Sequence, residues 1–270
     1  MMVRKALLSL ACVVMSAAPV WAGEVGVLVL AHGGSAQWNQ LVQDTVTEAH
    51  LSHPTAIAFG MGMEPREVQQ LQEAVDQLEQ QHVERIIAIP LLVSSSSEVA
   101  RQLQYLLGLR AHGPWEQHAR PVVLHVPVVM TSPLDDHPLV ADILLERAQA
   151  LSRVPAEENV ILIAHGPNED ADNAAWLQMM GHLGERIQQQ GHFRAVIPVT
   201  MRDDAPPAVR DAVTSQIRDV IQQYSQHGRA LVVPLLIASG GIETKIPERL
   251  AGLSYAYQGT ALLPHPKIAA

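Results

Sequence analysis

Short, uninterrupted runs of aliphatic and β-branched residues alternate along the chain with longer segments of helical periodicity. Such runs predict strands that are buried on both faces, at residues 25–31, 55–59, 85–92, 122–128, 160–164, 195–199 and 230–237, with a last one near 260. Apolar residues three or four positions apart predict amphipathic helices at residues 37–49, 66–81, 98–109, 138–151, 171–189, 208–224 and 246–253. Alternating strands and helices form right-handed βαβ units. The pattern therefore predicts an α/β protein with parallel sheets.

The second half of the sequence repeats the first. Val-Leu-Val-Leu-Ala-His-Gly at residues 27–33 returns as Val-Ile-Leu-Ile-Ala-His-Gly at 160–166, and a tryptophan follows each copy (Trp38 and Trp176). A second pair of matching segments is Arg-Ile-Ile-Ala-Ile-Pro-Leu-Leu-Val at residues 85–93 and Arg-Ala-Leu-Val-Val-Pro-Leu-Leu-Ile at 229–237. The repeat indicates an internal duplication.

The duplication predicts two similar lobes that face each other, each a small parallel sheet flanked by helices. A polar stretch with a proline, residues 152–158, separates the two series of elements. We therefore place the N-terminal lobe at residues 23–153 and the C-terminal lobe at 154–270.

The first 22 residues have the features of a targeting segment. Arg4 and Lys5 precede an apolar run at residues 6–20, and Val-Trp-Ala at 20–22 is a small-residue cleavage site. The run is too short to span a membrane stably. We therefore expect residues 1–22 to be a signal peptide, and the mature protein to be periplasmic and not embedded in a membrane.

Removal of this segment changes the charge and the cysteine content. The formal net charge is −9 for the whole chain and becomes −11 when Arg4 and Lys5 leave with the segment. This acidity argues against nucleic acid as a partner. Cys12 is the chain's single cysteine and also leaves, so the mature protein has no disulfide and no thiolate metal site.

Ionisable residues follow the predicted strands in both halves. In parallel α/β folds, ligands bind at the carboxyl ends of the strands. The residues found there are His32, Glu64 and Glu98 in the first half and His165, Asp203, Asp204 and Glu243 in the second. Imidazole with carboxylates suits divalent ions such as iron, cobalt, nickel or zinc. The same groups can accept protons from a substrate nitrogen.

Each of these residues also has a structural interpretation. A histidine between a strand and a glycine can simply cap a turn, and Glu98 can stabilise the first turn of its helix through the helix dipole. The recurrence of the histidine at the same place in both repeats favours a functional role. The sequence has no glycine-rich phosphate loop, nucleophile elbow or zinc-protease motif, and we expect no organic cofactor.

Three segments in this order resemble the class II tetrapyrrole chelatases. They are Ala-His-Gly after a strand, Phe-Gly-Met-Gly-Met-Glu-Pro at residues 59–65 and Pro-Leu-Leu-Val at 90–93. This family includes the sirohydrochlorin cobalto- and ferrochelatases and, more distantly, protoporphyrin ferrochelatase. The resemblance covers essentially the whole mature chain, as two copies of the chelatase half-domain. It implies that cobalt, iron or nickel is a substrate, inserted into a tetrapyrrole held between the lobes.

The N-terminal half matches the sirohydrochlorin branch in part. That branch combines a histidine after the first strand, an acid after the second and a histidine after the third. His32 matches the first histidine, whereas Met61 stands at the acid and Glu98 at the second histidine. The resemblance thus implies metal binding by His32 and Glu98 and a catalytic role for His32.

The C-terminal half follows the ferrochelatase pattern, in which a histidine pairs with a Glu-Thr that follows a proline. His165 fits the histidine, and Glu243, followed by Thr244, lies nine residues past Pro234. That pattern also has an acid between the histidine and the Glu-Thr, and Asp203 lies within one residue of this position. Asp203 is therefore a possible supporting acid outside the metal ligands. The resemblance implies that His165 and Glu243 are both catalytic residues and metal ligands.

Two other functions share the predicted architecture. The altered residues of the N-terminal half favour a non-catalytic periplasmic carrier that holds a tetrapyrrole or a metal ion, whereas the retained His165 and Glu243 favour an enzyme. A binding protein for an unrelated solute also has two lobes, but it does not require a histidine at both first-strand ends.

Overall fold

The computed structural model describes residues 23–60, 63–111 and 113–270, which form two four-stranded parallel sheets with the strand orders β2-β1-β3-β4 and β6-β5-β7-β8. The predicted signal peptide and Met61 lie outside these residues. The strands are β1 (Val25–Ala31), β2 (Thr55–Phe59), β3 (Arg85–Leu91), β4 (Val128–Met130), β5 (Glu158–Ala164), β6 (Ala195–Thr200), β7 (Arg229–Leu235) and β8 (Ala256–Tyr257). The predicted α/β class with two similar lobes is confirmed.

Helices connect the strands and pack on the sheets. They are α1 (Ala36–Glu48), α2 (Pro65–Glu79), α3 (Glu98–Leu106), α4 (Pro138–Leu151), α5 (Asp170–Gly191), α6 (Pro207–Gln226), α7 (Ile242–Arg249) and α8 (Pro266–Ala269). Serine side chains cap the N-termini of two of these helices. Ser35 accepts a hydrogen bond from the amide of Trp38, and Ser97 accepts one from the amide of Ala100. Within the described residues, no helix is both long and apolar enough to cross a membrane.

The predicted strand at residues 122–128 is wrong, since only Val128–Met130 pairs with β3. The preceding residues run beside α2 and use its side chains as hydrogen-bond partners. Val123 exchanges two backbone bonds with the Gln72 amide (2.7 and 3.0 Å), and the amide of His125 donates to Glu79 (2.7 Å). An extended segment can therefore satisfy its backbone without joining the sheet.

Two C-terminal elements also begin earlier than predicted. The helix expected at residues 246–253 is Ile242–Arg249, and the Glu243 carboxylate in its first turn accepts hydrogen bonds from the amides of Gly240 and Gly241 just before it. The last strand is Ala256–Tyr257, which pairs with β7, rather than a strand near residue 260.

The strand order sets the position of the site. In each sheet the first strand lies between the second and the third, so the direction in which successive strands are added reverses at the junction of β1 with β3 and of β5 with β7. Ligands bind at such switch points, beyond the carboxyl ends of the strands. Ala31 pairs with Leu91 and Ala164 with Leu235, and the two histidines are the next residues along β1 and β5.

One apolar core joins the two lobes through an exchanged helix. Helix α4 precedes the predicted lobe boundary at residue 153, but it packs against α5 and β7 of the second sheet. Its Ile143 and Leu144 are fully buried in a cluster that also contains Val29 of β1 and Leu162 of β5. Helix α8 packs in return against α1. The boundary stays a prediction about the duplicated sequence, and the packing crosses it.

The two repeated tryptophans also connect the lobes. Trp176 of α5 donates a hydrogen bond from Nε1 to the carbonyl of Ser96 in the N-terminal lobe (2.8 Å). In the mirrored contact, Trp38 of α1 lies against Gly240 of the C-terminal lobe, where a Cβ atom would come within 2.8 Å of the indole. Each lobe therefore places one indole against the loop that follows the third strand of the other.

Replacing Trp176 with phenylalanine should lower the free energy of unfolding by about 1–2 kcal/mol, because the Ser96 carbonyl loses its donor and the smaller ring leaves a gap. Urea unfolding followed by circular dichroism measures this change. An unchanged midpoint would show that the indole contact does not contribute to the stability of the lobe interface.

Candidate active site

A cleft of about 760 Å³ lies between the carboxyl ends of the two sheets. This volume is within the range of small-molecule sites. Matching apolar segments at the carboxyl end of the third strand of each sheet line it, namely Leu91, Leu92 and Val93 in one lobe and Leu235, Leu236 and Ile237 in the other. The duplicated Pro-Leu-Leu sequences thus form two related apolar walls.

His32 and His165 lie in this cleft with the same local geometry. The Nδ1 atom of His32 is 2.8 Å from the carbonyl oxygen of Gly33, and that of His165 is 2.9 Å from the carbonyl oxygen of Gly166. A carbonyl can only accept, so Nδ1 carries the proton and Nε2 of the neutral ring presents its lone pair. The positive φ angles of the two glycines, 78° and 75°, permit this turn. Both imidazoles are therefore oriented as bases or metal ligands through Nε2.

Asp204 is a charged partner of His165. Its Oδ2 atom is 3.3 Å from Nε2 of His165. Ligand atoms of His165, Asp203 and Asp204 all lie within 4.8 Å of one another. An imidazole lone pair and a carboxylate that face each other at this distance need a proton or a cation between them. This pair is therefore the part of the cleft best suited to a metal ion or a transferred proton.

Asp203 has a different environment from its neighbour. Its carboxylate accepts hydrogen bonds from Lys245 (2.5 Å) and from Arg249, and its side chain is 7% exposed, against 68% for Asp204. Asp203 thus fixes helix α7 against the loop after β6, while Asp204 faces His165. Sequence comparison placed the acid only to within one residue, and the ion pairs of Asp203 are the signal that separates the two.

Glu243 is not among the described residues that line the cleft with His165. Its carboxylate accepts hydrogen bonds from the amides of Gly240 (3.0 Å) and Gly241 (2.9 Å). Burial alone would raise the pKa of Glu243, but these backbone bonds outweigh it and hold the pKa below its usual value. In this conformation Glu243 stabilises the start of α7 and is a weak base, and its predicted catalytic role stays a prediction.

Replacing Glu243 with alanine should reduce the free energy of unfolding by about 1 kcal/mol at pH 7, because the amides of Gly240 and Gly241 lose their acceptor. Because the folded-state pKa is lowered, the contribution is complete above the unfolded-state value and disappears as the pH falls through the folded-state value. The difference between variant and parent should therefore shrink in acid. Chemical denaturation at neutral and acidic pH, with the exposed Glu248→Ala of the same helix as control, measures it.

Glu98 lines the same cleft as the two histidines. Its Oε1 atom accepts a hydrogen bond from Nε1 of Trp115 (3.1 Å) and one from Gln102 (3.4 Å). The structure therefore brings His32, Glu98 and His165 to one cavity, although their roles as ligands stay predictions. Met63 and Glu64, which directly precede α2, also line the cleft.

Known proteins share both sequence and fold with this chain. Residues 26–151 match the CbiX family model. The sirohydrochlorin chelatase SirB from Bacillus subtilis subspecies spizizenii, solved in complex with cobalt, is 16% identical with a TM-score of 0.61, covering 91% of this chain and 92% of SirB. SirB from Bacillus subtilis with Fe³⁺ is 18% identical with a TM-score of 0.62 and the same coverage.

DR2241 from Deinococcus radiodurans is a third structural relative. It is a multi-domain protein with structural similarity to chelatases and two additional novel domains. The two chains are 21% identical with a TM-score of 0.54, and the alignment covers 92% of this chain but 53% of DR2241. No curated protein matches the sequence. The family match in its N-terminal half and the chelatase fold along nine-tenths of its length support the assignment of the chain to the class II tetrapyrrole chelatases.

Proposed function

We propose that the protein inserts a divalent metal ion, cobalt or iron, into a tetrapyrrole bound between the lobes. The observation that carries this proposal is the pairing of the His165 lone pair with the Asp204 carboxylate at 3.3 Å inside the cleft. Insertion replaces the inner N–H protons of the macrocycle by a metal dication. The site must therefore both hold a cation and accept protons, and this pair is suited to both tasks.

His165 and Asp204 first hold the metal ion in this mechanism. A neutral imidazole and a carboxylate bind borderline ions without the strong retention of a thiolate site, and the mature chain has no cysteine. The ion can then pass to the ring nitrogens. Asp204 is largely exposed, so it has access to metal ions from solvent.

The histidines then take up the protons that leave the ring. Each imidazole has a free Nε2 because its Nδ1–H is bonded to the following glycine carbonyl. His165 and His32 belong to opposite lobes of the one cleft. A macrocycle between them therefore has a proton acceptor available on either side.

A carrier function is the second candidate. Two features favour it: the Glu243 carboxylate is bonded to the amides at the start of its own helix, and Glu98 stands where the sirohydrochlorin branch has a histidine. A carrier would bind the tetrapyrrole or the metal in the same cleft without turnover.

Absorbance spectroscopy tests the proposal. Purified protein is mixed with Co²⁺ or Fe²⁺ and with sirohydrochlorin, and then with a free-base porphyrin. The expected result is conversion of the spectrum to that of the metallated ring, with many turnovers, faster than without protein. A spectral change that stops at one equivalent of protein would identify a carrier, and no change with any tetrapyrrole would exclude both functions.

We also propose that residues 1–22 direct export to the periplasm and are then removed. The charged start, the apolar run and the small residues before Gly23 support this proposal. Intact mass and cell fractionation of the expressed full chain test it: a mature chain that begins at Gly23 in the periplasmic fraction is expected. A full-length chain in the cytoplasm would contradict it.

A further inference from the structure

The cleft combines apolar walls with an excess of acidic side chains. Seven carboxylates line it: Glu64, Glu67, Glu98, Glu169, Asp172, Asp203 and Asp204. Within the described part of the chain, Lys245 is the single lysine or arginine among the lining residues. The potential inside the cleft is therefore negative.

The basic side chain of the cleft and two basic side chains that contact its acidic lining are already bound to carboxylates. Lys245 lies 2.5 Å from Asp203, which Arg249 contacts as well. Behind the lining, Arg101 makes a bidentate ion pair with Asp172 (2.6 and 3.0 Å). A carboxylate on a ligand would have to displace one of these partners before it gained a cation of its own.

Arg202 has a comparable environment. Its side chain is 10% exposed, forms an ion pair with Asp170 (2.7 Å) and donates to the carbonyls of Pro167 and Asn168. Its guanidinium group therefore holds the loop after β5 together and is already bound to a carboxylate and two carbonyls.

The apolar part of the cleft suits a flat hydrophobic ring. The segments that follow β3 and β7 supply aliphatic side chains from opposite lobes. The indoles of Trp38 and Trp176 lie at the junction of the lobes, each 8% exposed. Ring burial can therefore supply the binding energy without ion pairs to the ring substituents.

We infer that the preferred macrocycle is a porphyrin-type tetrapyrrole with few carboxylate substituents and a largely apolar periphery, and not a polycarboxylate ring. This inference rests on the proposed function. Carboxylates around the ring would meet the acidic lining, and the juxtaposition of like charges weakens binding. SirB is a sirohydrochlorin chelatase, and sirohydrochlorin is a polycarboxylate. The two proteins share a fold, but substrate preference depends on the side chains of each cleft.

Two free-base porphyrins with the same ring core test the inference. Mesoporphyrin carries one pair of carboxylates, and uroporphyrin carries carboxylates around its whole edge. Titration of the purified mature protein, followed by porphyrin fluorescence at low salt, should give at least about tenfold tighter binding for mesoporphyrin. The ratio should fall as salt is added, because ions screen the repulsion. Equal or tighter binding of uroporphyrin, or no binding of mesoporphyrin, would overturn the inference.

Charge variants identify the cause of the preference. The double variant Glu64→Gln with Glu169→Gln removes two negative charges from the cleft. It should reduce the ratio of the uroporphyrin to the mesoporphyrin dissociation constant at least about threefold. The control Glu73→Gln with Asp219→Asn removes the same charge from exposed sites on α2 and α6 and should leave the ratio unchanged. An equal change in both double variants would show that the overall charge, and not the cleft, sets the preference.

The same samples separate this inference from the proposed function. After binding, Co²⁺ is added and the absorbance bands are followed. Tight mesoporphyrin binding without metal insertion would refute the chelatase function and keep the ligand preference. Insertion into uroporphyrin at least as fast as into mesoporphyrin would keep the function and refute the preference.

Discussion

Replacing His165 with alanine should lower kcat/KM for metal insertion by about a hundredfold or more, the usual cost of losing a positioned proton acceptor. Its Nε2 atom lies 3.3 Å from the Asp204 carboxylate inside the cleft. Its loss removes a proton acceptor and one ligand of the predicted metal site. Initial rates of spectral conversion with Co²⁺ and a free-base tetrapyrrole measure the effect.

Three further variants give this experiment its controls. Asp204→Asn should weaken Co²⁺ binding measured by calorimetry without tetrapyrrole, because the carboxylate beside Nε2 is lost. His32→Ala tests the equivalent group of the other lobe, and the exposed His53→Ala should behave as the parent protein. Full activity in His165→Ala together with a large loss in His32→Ala would assign catalysis to the N-terminal lobe.

The second large effect concerns stability. Replacing Asp203 with alanine should lower the free energy of unfolding by about 2–3 kcal/mol, because Arg249 and Lys245 lose their shared counter-ion. This value is at the lower end for a broken buried ion pair, since the Lys245 side chain is 47% exposed and solvent stabilises it in part. Urea unfolding at neutral pH measures the change.

The adjacent acid is the matched control for this prediction. Asp204→Ala should change the free energy of unfolding by no more than about 0.5 kcal/mol, because its side chain is 68% exposed. The two neighbouring variants should therefore separate stability from metal binding. Equal destabilisation by both would contradict the division of roles between Asp203 and Asp204.

The architecture could be predicted from the sequence because each lobe is built on uninterrupted apolar strands. The run at residues 160–164 has no polar alternation, so it had to lie inside a parallel sheet, and the histidine that follows it had to lie at the carboxyl edge. The repetition of this unit placed His32 at the equivalent edge of the other lobe. Local patterns of this kind do not depend on distant partners.

The missed details depend on contacts between residues far apart in sequence. Residues 122–127 have strand-like composition, but the side chains of Gln72 and Glu79 satisfy their backbone. Asp203 differs from Asp204 because α7, about forty residues later, supplies the cations that hold it. Composition and spacing give no information on either contact.

The glutamate after β7 makes local contacts that spacing does not predict. Its position nine residues past Pro234 predicts a role for Glu243 in the site, and in the structure two glycine amides in the preceding turn bind its carboxylate. An acidic residue in the first turn of a helix is always close to free backbone amides. A carboxylate can bind a metal ion or accept hydrogen bonds from backbone amides, and in this structure Glu243 does the second.

The exchange of α4 has a consequence for the ancestry of the protein. A fragment that ended at residue 153 would carry α4 without the sheet it covers, and the remaining fragment would leave that sheet bare. Two copies of one ancestral half could have completed each other by exchanging this helix, as domain-swapped dimers do. Fusion of the two genes would preserve the exchange within one polypeptide. After fusion the two copies can also diverge in sequence. One lobe has a histidine and an aspartate in contact, whereas the other has Glu98 beside a tryptophan.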